Sequence, residues 1–139
     1  MKTINLKSHL IIRLEKGEEI VSSIVKACEE NNIKLGVLTG IGAMSYVEVG
    51  YFDTDKKEYF SNEYKGHLEI LSLMGNITRK DEKVYLHPHI TFANEENSAK
   101  GGHLNKGIIS ATGEIIIQVI DGRVNRYFSE EIGLNLMEL

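Results

Sequence analysis

The sequence predicts one α+β domain over residues 1–139, made mostly of twisted antiparallel β-sheet with one main flanking helix. Apolar and polar side chains alternate with a period of two through most of the chain, and only residues 18–31 show helical spacing. The chain is 42% hydrophobic and 26% charged, proportions typical of a folded domain of this length.

The first strand and the helix are predicted near the N-terminus. Residues 6–14 alternate leucine and isoleucine with polar side chains, which is typical of a half-buried strand. In residues 18–31, "EEIVSSIVKACEEN", the apolar side chains form a helical stripe, and Glu18 and Glu19 lie where negative charge favours a helix start. Cys28, the single cysteine, falls on that stripe and is predicted to lie in the core.

Beyond residue 32 the pattern predicts strands and turns. Strands are predicted at residues 33–41, 45–52, 66–77, 84–92, 108–120 and 123–128. The segment 66–77, "GHLEILSLMGNI", is apolar on both faces, so we expect it to be buried on both sides by a helix or another subunit. "TGIGA" (39–43) predicts a tight turn, and the tail "EEIGLNLMEL" (130–139) is too apolar to remain in solvent.

Charge and composition exclude several classes of protein. Sixteen Lys and Arg against twenty Asp and Glu give a net charge of −4, with no basic run longer than two residues. Direct DNA binding is therefore disfavoured, since it depends on neutralising phosphates. No apolar run is long enough to span a membrane, and the N-terminal residues do not resemble a secretory signal. With one cysteine and no disulfide framework, we expect a cytoplasmic protein.

The segment "HPHITFANEENSAKGGHL" (87–104) holds three of the five histidines. On a strand, His87 and His89 point to the same face, and Pro88 between them predicts an edge or a bulge. Gly101-Gly102 predicts a tight turn that would aim His103 back at the sheet. Three imidazoles can hold zinc or another divalent transition metal and leave a position open for water or a small anionic ligand.

Other interpretations of the polar residues remain open at this point. The three histidines are also consistent with a solvated strand face. His89 followed by Glu95 is similar to a cupin arrangement, although the spacing is one residue too long. His67 and Glu69 are expected to form a hydrogen-bonded structural pair on a buried strand, and His9 to face solvent.

Three segments together resemble the plant and prokaryote conserved domain, or PPC domain. They are "GHLEILSLMGNI", "HPHITFANEENSAKGGHLNKGIISATGEIII" and "EEIGLNLMEL", in the order that the family shows, and the likeness extends over nearly the whole chain. The resemblance implies a compact antiparallel sheet flanked by helices and assembled as a homotrimer. Stand-alone prokaryotic members often keep a His-x-His and a Gly-Gly-His, which His87, His89 and His103 match.

The family is commonly labelled DNA-binding because plant members join this domain to AT-hook motifs. This chain has no Arg-Gly-Arg-Pro hook, and its one proline is Pro88. The sequence is consistent with three functions: a trimeric metal-binding or ligand-binding protein, a DNA-associated regulatory scaffold without a metal, and a metal-dependent enzyme with Glu95 or Glu96 as base. No reaction can be assigned from the sequence, which favours a protein that is not an enzyme.

Overall fold

The chain folds into eight β-strands and one α-helix, which a computed structural model describes over residues 1–139. In order, they are β1 (Lys2–Leu6), β2 (His9–Glu15), α1 (Ile20–Glu30), β3 (Gly36–Asp53), β4 (Glu58–Lys80), β5 (Lys83–Ala93), β6 (Ala99–Val119), β7 (Arg126–Ser129) and β8 (Leu134–Met137). A mostly antiparallel sheet with a single helix confirms the predicted fold class. No helix in the chain has the length and apolarity needed to cross a membrane.

Six strands form the main sheet, in the order β1-β2-β6-β3-β4-β5, with every neighbouring pair antiparallel. The N-terminal end of β6 also pairs with β5, from His89 opposite His103 to Ala93 opposite Ala99. This additional pairing closes β6, β3, β4 and β5 into a ring of strands. A ring leaves fewer open edges than a flat sheet, and it brings β5 against β6 although β3 and β4 lie between them in the open order.

Alternating side chains from the strands form the core together with one face of α1. Leu10, Ile12 and Leu14 of β2 are fully buried, as the period-two pattern predicted. Ile20, Ile24, Ala27 and Cys28 are the buried residues of α1. Cys28 is fully buried, which confirms it as a core residue, and burial raises the pKa of its thiol to about 12.

The start of the helix is fixed by Glu19 rather than by an acidic first turn. Glu19 is the N-cap, and its carboxylate accepts hydrogen bonds from the Val21 and Ser22 backbone N–H groups at 2.9 and 2.6 Å. These bonds satisfy N–H groups that have no partner within the helix. The same carboxylate accepts from the Gly107 N–H at 3.2 Å, so the cap also ties α1 to β6.

Several predicted boundaries are wrong because the strands are longer than the local pattern suggested. Residues 33–41 and 45–52 belong to one strand, β3, and the predicted turn at "TGIGA" is part of it. Gly42, at a φ of 153°, marks a register shift in β3, so its glycines permit a bulge instead of a reversal. Residues 2–6, which were not predicted as a strand, form β1.

Residues 66–77 of β4 are buried on one face only within one chain, so α1 does not cover the other face, and its burial by another subunit stays a prediction. Leu68, Ile70, Leu73 and Ile77 face the core, whereas Leu71 and Met74 are 52% and 60% exposed. An apolar residue carries the same sequence signal whether it packs inside its own chain or lies on the surface. The pattern therefore identified the apolar face but not what covers it.

The apolar tail folds back as a hairpin of β7 and β8, with Arg126 opposite Met137 and Ser129 opposite Leu134. The last predicted strand, 123–128, is thus shifted to residues 126–129. Arg126 fastens the hairpin to β4, donating from Nε to Thr78 Oγ1 and from Nη2 to Asn76 Oδ1, both at 2.8 Å. The hairpin lies beside the histidines, but the prediction that the tail leaves solvent is met only in part. Leu136 and Met137 are half-buried, whereas Ile132, Leu134 and Leu139 remain exposed in one chain.

Candidate metal centre

The three predicted histidines lie on two adjacent strands, at the place where the ring of strands closes. His87 and His89 alternate with core-facing residues along β5, so both project to the outer face of the sheet. His103 lies directly opposite His89 in the β5–β6 ladder. The structure therefore brings together all three residues that the sequence predicted to form one site.

The backbone structure just before His103 differs from the prediction. Gly101 and Gly102 are strand residues of β6 and do not form a turn. A Cβ on Gly101 would lie 2.4 Å from the Ile90 carbonyl oxygen, and one on Gly102 would lie 2.8 Å from that of Gly50. The two glycines are thus required for close backbone packing between strands, and the reversal lies between Ala93 and Ala99.

The geometry of the cluster fits a metal ion with nitrogen ligands. One ring nitrogen from each of His87, His89 and His103 can be chosen so that all three lie within 4.8 Å of one another. The ring centroids are 5.2 Å apart for His87–His89, 5.2 Å for His87–His103 and 5.3 Å for His89–His103. Tetrahedral zinc, with Zn–N bonds of about 2.0–2.1 Å, places its nitrogens about 3.4 Å apart, a difference within reach of small side-chain rotations.

The local environment keeps the imidazoles in the form that a metal requires. Burial, together with the nearby His87 and His89, lowers the pKa of His103 to about 4. The pKa of His87 is lowered mainly by burial and next by the positive charge of Arg126. Both rings are therefore neutral near pH 7, and a neutral imidazole nitrogen is the species that binds a metal.

Pro88 lies where β5 has a hydrogen-bonded neighbour on one side only. It pairs with Gly75 of β4, while the pairing of β5 with β6 begins one residue later, at His89. A proline has no N–H to donate, so it suits the position just before the second neighbour begins. The edge predicted at Pro88 is confirmed locally, although residues 89–93 are paired on both sides.

The histidines line a cavity of about 570 Å³. Asn76, Tyr85 and Arg126 are among the residues that contribute further polar groups to its wall. Its wall also holds four apolar side chains from β3 and the C-terminal hairpin: Phe52, Leu134, Leu136 and Met137. A volume of this size, with a few polar groups in an otherwise apolar wall, falls in the range of small-molecule sites.

Sequence reasoning missed Arg126 as a site residue. Its guanidinium lies over the Tyr85 ring, 4.7 Å from the centroid, and donates to Asn76, Thr78 and the Asn135 carbonyl oxygen. These neighbours lie between 9 and 50 residues away in the chain, so no local motif connects them. The only available signal was that arginine is scarce, with four in the whole sequence.

Tyr59 was missed for the same reason. Its ring lies edge-on to His103 with the centroids 6.2 Å apart, and its hydroxyl donates to Asn105 Oδ1 at 2.8 Å. Asn105 in turn donates to Glu48 Oε1 at 3.1 Å. Gly50 leaves room for the tyrosine, since a Cβ there would lie 2.5 Å from the Tyr59 hydroxyl. The hydrogen-bonded chain fixes an aromatic wall beside His103.

The remaining polar candidates lie outside the cluster. His67 is not buried, its side chain being 90% exposed, and its nearest charged partner is Glu95 at 3.7 Å rather than Glu69. Glu95 and Glu96 lie in the exposed turn after β5 and do not line the histidine cavity, which excludes the cupin-like arrangement. His9 lies in β2 with its Nδ1 2.9 Å from Ser8 Oγ.

Known structures share this fold over almost the whole chain. A protein from Bacteroides thetaiotaomicron, provisionally described as DNA-binding, is 31% identical with a TM-score of 0.96, covering 99% of this chain and 96% of its own. A metal-containing protein from Archaeoglobus fulgidus is 32% identical with a TM-score of 0.87, covering 100% of both chains. A plant- and prokaryote-conserved protein from Pyrococcus horikoshii is 30% identical with a TM-score of 0.86, covering 99% and 94%.

The sequence itself also matches a family. No curated protein is significantly similar to the chain. Residues 1–121 match the profile of the Plants and Prokaryotes Conserved (PCC) domain, which includes the β5–β6 hairpin and all three histidines. With a family match over most of the chain and solved relatives above 30% identity, this chain belongs to the plant and prokaryote conserved domain family.

Proposed function

We propose that this chain is a cytoplasmic PPC-domain protein that binds one divalent transition-metal ion per protomer through His87, His89 and His103. The observation that carries the proposal is the convergence of three imidazole nitrogens within 4.8 Å on two adjacent strands. Neutral nitrogen ligands favour zinc among the abundant ions, and three of them leave a fourth position open. The metal-containing relative from Archaeoglobus fulgidus supports the same assignment.

Metal analysis of untagged protein tests this proposal. We expect about one zinc per chain in the wild type, by analogy with other three-histidine sites, and none in the double variant His87→Ala/His89→Ala. The variant His9→Ala/His67→Ala removes two histidines outside the cluster and should keep the metal. Wild-type protein that takes up no stoichiometric zinc, cobalt or nickel would rule the site out.

We further propose that the protein assembles as a homotrimer through the exposed face of its main sheet. Five large apolar side chains on β3, β4 and β6 are exposed there: Val37, Ile41, Leu71, Met74 and Ile116. Met74 and Ile116 both lie opposite Thr39 in the ladders, so these side chains share one face across three strands. An exposed apolar patch of this kind is typical of an interface, and two further copies of the chain would cover it.

DNA association is the second candidate, because the relative from Bacteroides thetaiotaomicron carries that provisional description. The net charge of −4 argues against strong phosphate contacts. A gel-shift titration against salt separates the two cases. Binding that weakens steeply with salt concentration supports phosphate recognition, and weak binding without such a slope supports the metal-binding function alone.

An enzymatic role has less support from the cavity. The glutamates considered as bases, Glu95 and Glu96, lie outside it, and no aspartate or glutamate lines it. A metal-bound water could still be activated there, but proton transfer would then lack a carboxylate base. The arrangement therefore favours binding of a metal and a ligand over catalysis of hydrolysis.

A further inference from the structure

The wall of the histidine cavity contains both polar and apolar side chains. The imidazoles, Asn76 and Arg126 are polar, whereas Leu134, Leu136 and Met137 of the C-terminal hairpin and Phe52 of β3 are apolar. At about 570 Å³ the cavity is much larger than a water molecule, whose share of liquid volume is about 30 Å³. A wall of this composition can contact both the polar head and the apolar body of one molecule.

Arg126 is held in place by neutral acceptors only. Its Nε donates to Thr78 Oγ1, its Nη1 to the Asn135 carbonyl oxygen and its Nη2 to Asn76 Oδ1, each at 2.8 Å. A guanidinium has five N–H groups, so these bonds leave two N–H groups without an assigned acceptor. The side chain is thus oriented rigidly while part of its donor capacity remains available.

The charge on this guanidinium has no counter-charge in the cavity. Arg126 forms no ion pair with a carboxylate, and no acidic side chain lines the cavity wall. Burial lowers the pKa of Arg126, and the nearby Tyr85 acts in the opposite direction. A divalent ion on the three neutral histidines would add two further positive charges nearby. Positive charge in a cavity without a counter-charge favours a bound anion.

We propose that the cavity binds a small organic carboxylate with a short apolar tail, whose carboxylate lies between the metal site and Arg126 and whose tail packs on Leu134, Leu136 and Met137. The proposal rests on the metal-binding function proposed above. The planar fork of an arginine matches a carboxylate well. An inorganic anion such as phosphate would share the charge recognition but would leave the apolar wall of the hairpin without a contact.

Cobalt-substituted protein provides the test, because the visible absorption of cobalt(II) changes when its coordination changes. The probes are acetate, butyrate, hexanoate and inorganic phosphate, each titrated into the cobalt-loaded wild type. We expect hexanoate to bind tightest, with affinity falling about fourfold for each buried methylene removed. Equal affinities for acetate and hexanoate, or a preference for phosphate, would overturn the proposal.

Variants test the roles of Arg126 and of the apolar wall separately. Arg126→Gln should weaken hexanoate about tenfold or more while leaving the cobalt stoichiometry unchanged. Arg123→Gln is the matched control, since Arg123 pairs with Glu82 outside the cavity and its loss should not change hexanoate affinity. Leu136→Ser keeps the arginine and should weaken hexanoate but not acetate. An Arg126→Gln protein that binds hexanoate as tightly as the wild type contradicts the inference.

Failure of the metal site gives a different result from failure of the carboxylate site. If the wild type takes up no cobalt, the proposed metal function is wrong, and calorimetry of hexanoate with the metal-free protein decides the inference independently. Binding that is lost in Arg126→Gln would support the carboxylate site without a metal. If hexanoate does not bind the metal-free protein either, the inference is wrong as well.

Discussion

His89 and His103 lie directly opposite each other in the β5–β6 ladder, with their ring centroids 5.3 Å apart. The pair occupies the first rung of the pairing that closes β3, β4, β5 and β6 into a ring. Because His87 and His89 lie on β5 and His103 lies on β6, the candidate metal site depends on this pairing. A metal bound at the rung would in turn hold the closure together.

Chelation should therefore destabilise the protein. A metal that binds only the folded chain stabilises it by about 2.7 kcal/mol when its free concentration is 100 times the Kd. We expect the thermal midpoint to fall when EDTA is added to the metal-loaded wild type and to recover when zinc is restored. Differential scanning calorimetry measures both steps. An unchanged midpoint in protein shown to have lost its metal would contradict the proposed link between binding and closure.

Removal of one ligand should be more damaging to metal binding than removal of an outlying histidine. Loss of a residue that only hydrogen-bonds to a metal ligand typically weakens metal affinity by roughly 10–100-fold. Because His103→Ala removes a direct ligand, we expect it to weaken zinc affinity by at least that much. His67→Ala should leave the affinity unchanged, since that side chain is 90% exposed and outside the cluster. Competition with a chromophoric zinc chelator measures the difference. Equal affinities in the two variants would exclude His103 as a ligand.

The close packing of β5 on β6 predicts a large effect of one methyl group. Gly101→Ala would place its Cβ 2.4 Å from the Ile90 carbonyl oxygen, so the strands must separate two rungs away from the His89–His103 pair. We expect a loss of about 1–3 kcal/mol in the free energy of unfolding, as for other overpacked sites, together with weaker zinc binding. Urea denaturation and metal titration measure the two effects.

Gly66→Ala is the control for that substitution. A Cβ at Gly66 meets no atom within 4 Å, although the backbone has a φ of 127°. Its cost should come from backbone conformation alone, about 1–2 kcal/mol, and should leave zinc affinity unchanged. If Gly101→Ala binds zinc as well as Gly66→Ala does, the spacing of the two strands does not control the site.

The metal-free protein should lose stability as the pH falls. The pKa of His103 is lowered to about 4 in the fold, mainly by burial, whereas an unfolded histidine titrates near its usual value of about 6.5. Between these values the unfolded chain binds more protons, so the free energy of unfolding decreases from about pH 6.5 towards pH 4 and is unaffected by this residue at higher pH. Urea denaturation at pH 7.5 and pH 5.0 tests this.

His103→Gln should make the pH dependence of the metal-free protein shallower, while His9→Gln, outside the cluster, should retain it. Both variants keep a polar side chain on the strand. A slope that is identical in wild type and His103→Gln would show that burial of this imidazole does not contribute to the pH dependence of stability.

The exposed apolar face predicts how the assembly can be broken. Ile41→Glu places a charge on a side chain that is 58% exposed in one chain, so the fold should be retained while a trimeric interface would be disrupted. Light scattering should change from a trimer for the wild type to a monomer for the variant. Tyr51→Lys, 60% exposed nearer the end of β3, is the control and should remain trimeric. A monomeric wild type would exclude the interface.

Local side-chain periodicity determined much of this fold. The period-two segments identified the strands, and the helical stripe from Ile20 to Cys28 identified the one helix. His87 and His89 were placed on one strand face because residues two apart in a strand share a face whatever the rest of the chain does. Apolar content also predicted that the tail would be covered, which holds only for Leu136 and Met137, both half-buried in one chain.

Only the tertiary structure decided how distant segments meet. A Gly-Gly pair is equally compatible with a turn and with close packing between strands. The register of β5 against β6 shows that Gly101-Gly102 allow close packing. Arg126 lies in the site because the C-terminal hairpin packs on β4, where Arg126 donates a hydrogen bond to Asn76, 50 residues away in the chain. A sequence fixes the face on which each side chain lies through nearest-neighbour geometry, whereas the partner across that face depends on long-range pairing and closure.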